Sequence, residues 1–202
     1  MVCTRNRYTL CFLVLLLPAL AVTAGGSKTV GKNPGKIQGR WLQVDDLDAL
    51  KAIGSVYVGD VSSDIQWKRA ENEAPLDEEL LDENLREQLT ARLRESGALG
   101  DVLDDAPEAG TAGVARLDCD LVVEPGSRAA RYVVGMGAGK SRSILEIRVR
   151  DHATGEEIAL YHGYGAGTGM GFKLAGGGAR KMTQDDIQEN TKDMMELLAQ
   201  VR

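Results

Sequence analysis

The chain has 202 residues, of which 43% are hydrophobic and 27% charged, which suits one domain with a packed core and excludes wholesale disorder. The net charge of −6 and the 4% aromatic content argue against a general nucleic-acid binder, which needs clustered Lys and Arg and stacking rings. Three cysteines and two histidines are too few to suggest a metal cluster. The sequence therefore predicts no cofactor and no metal site, but its 24 glycines are an unusual feature.

Residues 1–24 have the pattern of a secretory signal peptide. Arg5 and Arg7 precede an apolar stretch from Leu10 to Val22, and small residues then lead to a cleavage point before Gly25. The stretch is shorter than the roughly 20 residues that a membrane-spanning helix needs. We therefore expect an exported protein, periplasmic or extracellular, with an uncleaved N-terminal anchor as the alternative.

The cysteine positions add to this expectation. Cys3 and Cys11 lie in the predicted signal, so only Cys119 would remain in the mature chain, and no internal disulfide would form. No cysteine directly follows the apolar stretch, so the chain lacks the lipidation signal of bacterial lipoproteins. No later segment is long and apolar enough to predict a transmembrane helix.

The rest of the chain is expected to form a lead-in and one domain. Residues 25–40 are rich in Gly, Lys and Ser, and we expect them to be a flexible lead-in. Residues 41–202 are expected to form a single domain. Its first predicted strand is Ser55–Val61, where apolar and small or polar residues alternate.

Two helices are predicted. The clearer one runs from about Asp77 to Ser96, and Gly97 is typical of a helix C-terminus. Its leucines recur every fourth position, which indicates one face packed on a core, at Leu81, Leu85, Leu89 and Leu93. The last helix is predicted to begin at Thr183, with a capping box formed with Asp186 and an inner face at Ile187, Met194, Leu198 and Val201.

Three more strands are predicted from alternating polarity, at Val114–Val123, Ser143–Arg150 and Ile158–Tyr164. Cys119 falls on the apolar side of the first of them, so we interpret it as a core residue and not as a nucleophile. The predicted fold is therefore α+β: a mostly antiparallel sheet of about four strands, with two main helices packed on one face.

The first glycine-rich segment ends like a phosphate-binding P-loop, because Gly139 is followed by Lys140 and Ser141. Val134 stands where that motif requires its first glycine, and a strand pattern follows instead of the helix that would hold the phosphates. We therefore interpret the segment as a glycine-rich strand connection and do not predict a nucleotide site.

The second glycine-rich segment has glycine at every second position from Gly163 to Gly171, followed by Gly176–Gly178. Alternate glycines leave one strand face bare, so a helix or another backbone can approach it closely. A flexible connector to the last helix and a self-association surface are the alternatives.

Charge is distributed unevenly along the chain. Residues 60–108 hold 15 acidic and five basic side chains, a net charge of −10, whereas residues 125–150 hold six basic and one acidic, a net charge of +5. Arg128 and Arg131 lie three positions apart beside glycines, an arrangement suited to an anionic group. Pairing of the basic segment with the acidic helix is the alternative. The candidate binding residues are Arg128, Arg131, Gly135, Gly137 and Gly139.

The two histidines, His152 and His162, lie at the ends of the predicted hairpin strands, where they would approach each other across it. No third ligand is evident, and a zinc site takes three or four. Ser141 or Ser143 combined with a histidine and an aspartate would make a triad, but the Gly-x-Ser-x-Gly nucleophile elbow is absent. We therefore predict no catalytic residue.

The middle of the chain resembles the core signature of a bacterial envelope family known only as a domain of unknown function. The resemblance rests on a Gly-Ser-Arg-Ala-x-Arg turn (Gly126 to Arg131), a Gly-x-Gly-x-Gly run (Gly135 to Gly139) and an Asp-x-x-Thr-Gly hairpin (Asp151 to Gly155). The predicted order of elements is also similar to the N-terminal domain of TolB, the periplasmic domain of the curli-secretion lipoprotein and lipoprotein activators of peptidoglycan synthases. The resemblance implies a place in the cell envelope and assigns no catalytic residue.

The favoured hypothesis is a non-enzymatic binding or assembly module of the bacterial cell envelope. Its partner would be a protein or an anionic envelope component, and not a nucleic acid. The alternatives are an envelope component that self-assembles into a homo-oligomer through its glycine-rich segments, and a small secreted hydrolase.

Overall fold

The computed structural model describes residues 26–66, 76–124, 142–166 and 179–202. The predicted signal peptide, residues 1–24, lies outside these ranges. So do the glycines that follow residue 166 and all five candidate binding residues, Arg128, Arg131, Gly135, Gly137 and Gly139.

The described residues form one seven-stranded sheet and three helices. The strands are β1 (Lys28–Lys32), β2 (Arg40–Val44), β3 (Ser55–Ile65), β4 (Asp101–Val102), β5 (Val114–Glu124), β6 (Arg142–Asp151) and β7 (Glu157–Ala166). The helices are α1 (Leu47–Ala52), α2 (Glu78–Ser96) and α3 (Ala179–Val201). Across the sheet the strands follow the order β1-β2-β7-β6-β5-β3-β4.

The predicted fold, a mostly antiparallel sheet of about four strands with two main helices, is wrong. β3 pairs in parallel with both β4 and β5, so the seven-stranded sheet is mixed. The parallel pairs arise because α2 separates β3 from β4 and carries the chain back to the end of the sheet where β3 began. Alternating polarity reveals a strand but not its direction, so the sequence did not reveal this crossover.

The sequence prediction lacks the shortest elements, which are β1, β2, β4 and α1. β1 lies within residues 25–40, the segment expected to be a lead-in, and pairs with β2 along its whole length. β4 has two residues and α1 has six. Elements of this length contain too few residues to show a periodic pattern.

α2 confirms the helix predicted from Asp77 to Ser96. The Asp77 side chain accepts a hydrogen bond from the backbone N–H of Glu79 (3.1 Å), which satisfies one of the free amides at the helix start. Gly97 ends the helix with φ at 59°, a conformation that glycine adopts without strain. The predicted stripe is buried, at Leu81, Leu85, Leu89 and Leu93.

α2 and α3 pack on the same face of the sheet. α2 contacts β3 and α3, and α3 contacts β1, β2, β6 and β7. Alternate strand residues point into this helix layer and are buried, Cys119 among them, as predicted. The predicted inner face of the last helix is also buried. Because burial of each large aliphatic side chain contributes about 1.5–3 kcal/mol, this layer is the main source of stability.

α3 differs from the predicted last helix at its start. It begins at Ala179, four residues before Thr183. Thr183 and Asp186 therefore lie within the helix and are buried, so the predicted capping box is wrong. Asp186 instead becomes part of a polar cluster between α3 and the sheet.

Candidate functional site

We call the face of the sheet opposite α2 and α3 the open face. Among the residues that the structure describes, no helix packs on it. Its side chains come from the alternate positions of β5, β6 and β7 that do not enter the core, and they are half-exposed at the centre of the sheet. These central side chains are Arg116, Asp118, Glu146, Arg148, Arg150 and Leu160.

Three arginines of the open face bind five carboxylates, and we call this set the ion-pair network. Its contacts are Arg116 with Asp60 (2.5 Å) and Asp118 (2.6 Å), Arg148 with Asp120, Glu146 (2.9 Å) and Glu157 (3.8 Å), and Arg150 with Asp118 (3.4 Å) and Glu157 (3.9 Å). Each arginine contacts at least two carboxylates. Hydrogen bonds to carboxylates hold the guanidinium groups of Arg116 and Arg148, whereas Arg150 makes only its two longer ion-pair contacts.

Strand register creates the network. Between β5 and β6, Arg116 lies opposite Arg150, and Asp118 lies opposite Arg148. Because opposite and diagonal neighbours on one sheet face are within reach of long side chains, each arginine finds acids on the adjacent strand. The hydrogen bond to Asp118 raises the pKa of Arg116, and the hydrogen bond to Asp120 raises the pKa of Arg148.

The network also corrects one reading of the basic segment, residues 125–150. Its three described arginines pair with carboxylates on neighbouring strands and not with the acidic helix α2, since Arg142 contacts Glu124 (3.8 Å) and the other two belong to the network. With three arginines and five carboxylates, the network has a net charge of −2. The described part of the open face is therefore not a basic site for an anion.

His162 lies at one end of the open face in an enclosed position. Its ring stacks on Trp41 of β2, with 5.1 Å between the ring centroids and 15° between the planes. Its Nε2 lies 3.0 Å from the carbonyl oxygen of Ile37, and its Nδ1 lies 3.3 Å from Glu146 Oε1. His162 thus ties β7 to the turn between β1 and β2 and to the ion-pair network.

His152 has separate partners. Its Nδ1 lies 2.9 Å from the Tyr57 hydroxyl, and its Nε2 lies 3.0 Å from the carbonyl oxygen of Glu108. His162 pairs with Glu146, six positions from His152 along the chain, which corresponds to roughly 20 Å of strand. The expectation that the histidines meet is therefore wrong, and no group of three potential metal ligands occurs in the described part of the chain.

Ser143 and Asp186 form a buried pair on the helix side of the sheet. Ser143 Oγ donates to Asp186 Oδ2 (3.2 Å), and the two residues are 2% and 6% exposed. Burial raises the pKa of Asp186 to about 6, and the hydrogen bond from Ser143 opposes this shift. No histidine contacts Ser143 within the described residues, so the described residues contain no serine–histidine pair at this position.

Gly163 and Gly165 let α3 approach β7 closely. A Cβ atom at Gly163 would lie 2.5 Å from Asn190 Oδ1, and one at Gly165 would lie 2.7 Å from the Asp186 carboxyl carbon. Both distances are shorter than side chains tolerate. These two positions confirm that alternate glycines permit close packing, whereas Gly167, Gly169 and Gly171 lie outside the described residues.

Arg40 joins β2 to α3. Its guanidinium group contacts Glu189 (2.8 Å) and Asp193 (2.6 Å). Burial opposes the charge, but the two hydrogen bonds outweigh it and raise the pKa of Arg40. The hydrogen bond from Arg40 in turn lowers the pKa of Glu189. A cation of the expected lead-in thus anchors the sheet to the last helix.

The two edges of the sheet differ in their cover. β4 pairs with only the first two residues of β3, so the rest of β3 forms one edge of the sheet. There Arg86 of α2 donates to the carbonyl oxygens of Val58 and Gly59 (both 2.8 Å), and the backbone N–H of Ile65 donates to Glu78 Oε1 (3.3 Å). These contacts withdraw backbone groups from any added strand. At the other edge, β1 pairs only with β2, and both of its lysines are exposed.

Cys119 is a buried thiol of the core, and burial raises its pKa well above the usual range. This agrees with its interpretation as a core residue. In the described residues, no helix is both long and apolar enough to cross a membrane.

Comparison with known proteins places the chain in a family. Residues 42–170 match the family described as "Domain of unknown function (DUF4410)". No curated protein matches the chain. Two structures of the PelC dodecamer from Paraburkholderia phytofirmans are similar to it at 14% sequence identity. The first, a point variant, has a TM-score of 0.39, and the match covers 86% of this chain and 98% of that chain. The second has a TM-score of 0.38, and the match covers 85% of this chain and 97% of that chain. Likeness at this level supports no conclusion about function.

Sequence reasoning missed the open face, although its signal is present. In β5, residues 116, 118 and 120 are charged while the alternate positions are apolar, and β6 repeats this at residues 146, 148 and 150. Two such strands paired in register make a charged face. The ion pairs between Arg40 and α3, and the stacking of Trp41 on His162, could not be predicted from the sequence, because each contact joins residues that are far apart in the chain.

Proposed function

The chain belongs to the DUF4410 family, and we propose that it is a non-enzymatic, exported binding and assembly module of the bacterial cell envelope. The observation that carries this proposal is the open face, a set of half-exposed side chains across the middle of the sheet with no described element packed on it. A face on which no described helix or strand packs is available to a partner.

The ion-pair network makes this face suited to specific recognition. Its arginines are already paired with carboxylates. Binding of a partner therefore costs less side-chain entropy on this face than on a surface of unpaired, mobile side chains. Its mixed charges favour a partner with a matching pattern of charge over a uniformly charged polymer.

The candidate residues Arg128, Arg131, Gly135, Gly137 and Gly139 extend this proposal. They lie between the end of β5 at Glu124 and the start of β6 at Arg142, which are paired neighbours in the sheet. The signature that they carry resembles that of a bacterial envelope family, and this resemblance supports a role in the envelope. Export rests on the signal pattern of residues 1–24.

The alternative of a small secreted hydrolase finds no support in the described contacts. Ser143 binds a carboxylate, and the described histidines contact Tyr57, Glu146 and backbone carbonyls but no serine. Activation of a serine by histidine requires the two side chains to lie within hydrogen-bond reach, and no described pair does.

Site-specific photo-crosslinking in bacteria that produce the full chain tests the binding proposal. A photoreactive amino acid replaces Leu160, which is half-exposed on the open face, and in a matched strain it replaces Glu83, which is exposed on α2. We expect a discrete adduct with an envelope component from position 160 only. Equal adducts from both positions, or none from either, would contradict the proposal.

Two further variants separate the parts of the proposal. Arg128→Ala combined with Arg131→Ala is expected to weaken the adduct without unfolding the chain, and an unchanged adduct would remove these arginines from the site.

For export, a reporter that is active only outside the cytoplasm is fused after Arg202. We expect activity that is lost on deletion of residues 1–24, and activity that survives the deletion would contradict export by that segment.

A further inference from the structure

The two edges of the sheet carry opposite charges. Residues 26–44, which include β1 and β2, contain four basic residues and no acidic one. Arg40 is held by α3, but three exposed lysines form no ion pair within the described part of the chain, and we call them the basic edge: Lys28, Lys32 and Lys36. Among the described residues, the only hydrogen bond from their ammonium groups is the one that Lys28 donates to the carbonyl oxygen of Gln200 (3.4 Å).

At the opposite edge, residues 101–110, which include β4 and the loop after it, contain four acidic residues and no basic one. All four side chains are exposed. Asp104 pairs with Arg94, but the other three form no ion pair among the described residues. We call these three the acidic edge: Asp101, Asp105 and Glu108.

These charges cannot neutralise each other within one molecule. β1 and β4 are the first and last of seven strands, so six strand spacings, roughly 29 Å in all, separate the lysines of β1 from Asp101, although Glu108, whose carbonyl contacts His152, lies nearer the middle of the sheet. This distance is about three times the Debye length of roughly 8–10 Å near physiological salt, which screens attraction between the edges. Lys28, Lys36 and the three carboxylates therefore remain available to another molecule, whereas Lys32 also interacts with Glu189 of α3.

An apolar side chain accompanies the basic edge. Ile37, in the turn between β1 and β2, is 69% exposed and is the only large hydrophobic side chain that is exposed among the described residues. It directly follows Lys36. A single exposed apolar side chain is common on protein surfaces, so Ile37 adds apolar area next to the charges of the basic edge and does not by itself define a contact surface.

We propose that copies of this chain associate head to tail, with the basic edge of one copy against the acidic edge of the next. The proposal rests on the proposed function and names a second copy as one partner in its assembly role. Like edges repel, so a symmetric dimer through two basic or two acidic edges is disfavoured. The head-to-tail contact repeats, and it closes into a ring or continues as a filament, depending on the rotation per copy.

Light scattering of the purified full chain tests the proposal with two neutral-edge variants. One is Lys28→Gln with Lys32→Gln and Lys36→Gln, and the other is Asp101→Asn with Asp105→Asn and Glu108→Gln. We expect oligomers of the unmodified chain that dissociate at about 1 M salt, where the Debye length is about 3 Å. Each variant alone is expected to associate about tenfold more weakly.

Mixing the variants gives the decisive result. Each variant keeps one charged edge, so an equimolar mixture is expected to form dimers of one copy of each and nothing larger. As a control for net charge, Asp48→Asn with Glu156→Gln and Asp185→Asn removes three exposed carboxylates away from both edges and is expected to leave assembly unchanged.

A chain that stays monomeric at high concentration, together with a mixture that stays monomeric, would overturn the proposal. If the basic edge instead binds an acidic segment of another protein, the mixture also stays monomeric. The crosslink from position 160 distinguishes this failure from failure of the proposed function. An adduct that persists in a strictly monomeric chain refutes only head-to-tail association.

Discussion

On β6, Ile147 points into the helix layer and is fully buried, whereas its neighbour Arg148 points to the open face and contacts Asp120, Glu146 and Glu157. The same alternation runs through β5 and β7. One face of the sheet is thus stabilised by buried apolar area and the other by partly exposed ion pairs. Since exposed ion pairs contribute little to stability, the comparison assigns most of the folding free energy to the helix side of the sheet and little to the open face.

Substitution of these two neighbours gives the largest expected difference. Ile147→Ala is expected to lower the free energy of unfolding by about 2–5 kcal/mol, because it leaves a cavity in the helix layer. Arg148→Ala is expected to lower it by about 1 kcal/mol or less. Denaturant titration of both variants measures the two values, and equal losses would contradict the assignment of stability to one face.

Close packing on the helix side predicts the next largest effect. Gly165→Ala forces a methyl group against Ser143 Oγ and the Asp186 side chain, and we expect a loss of about 1–3 kcal/mol. Gly54→Ala is the matched control, since the nearest atom to its Cβ would be the Gly113 carbonyl oxygen at 3.9 Å. Thermal unfolding of the pair checks the prediction, and similar stabilities would show that α3 does not lie as close to β7 as described.

The buried Asp186 predicts a pH dependence. Burial holds its pKa at about 6, above its ordinary value of 3.8, so the folded chain binds this proton more tightly than the unfolded chain does. Stability contributed by the protonated form is therefore complete below about pH 4 and is lost as the pH rises through about 6. The groups that face Asp186 are Ser143, Glu189, Arg40 and Asp185.

Asp186→Asn tests this dependence. At pH 7.5 we expect the variant to be more stable than the unmodified chain by on the order of 2 kcal/mol, since the amide carries no charge to bury. At pH 4 the two are expected to be equally stable. Unfolding curves at several pH values measure the difference, with Glu83→Gln on the exposed side of α2 as the control. A variant that is less stable at every pH would refute the argument.

The smallest expected effect belongs to the open face alone. Arg116→Gln removes two partly exposed ion pairs, with Asp60 and Asp118, and is expected to cost about 0.5–1 kcal/mol at low salt. The cost is expected to fall towards zero in about 1 M salt, because the Debye length there is about 3 Å. A salt-independent loss would mean that Arg116 stabilises the fold by packing and not by charge.

The sequence predicted the elements that bury apolar residues in a regular pattern. The leucine stripe of α2 and the alternation of β5, β6 and β7 were recognisable, because burial of one face imposes a period of four or two. The parallel pairing of β3 was not, because strand direction leaves no mark in that alternation. β1 and β2 were not predicted because each has only five residues, too few to show a regular alternation, although Leu42 and Val44 of β2 are buried in the core.

The candidate site could be predicted only in part. The charged alternation in β5 and β6 is visible, but the partners of Arg116, Arg148 and Arg150 depend on register, which the sequence alone does not specify. The described arginines of the basic segment pair with acids on adjacent strands, whereas Arg128 and Arg131, the candidates for binding an anion, lie outside the described residues.

The central claim is that the open face serves binding and not stability. The most direct test combines Arg148→Ala and Arg150→Ala in the strain with the photoreactive amino acid at position 160, and measures the adduct together with the unfolding temperature. We predict that the adduct is lost while the unfolding temperature changes by only a few degrees. An undiminished adduct on a stably folded variant would contradict the claim.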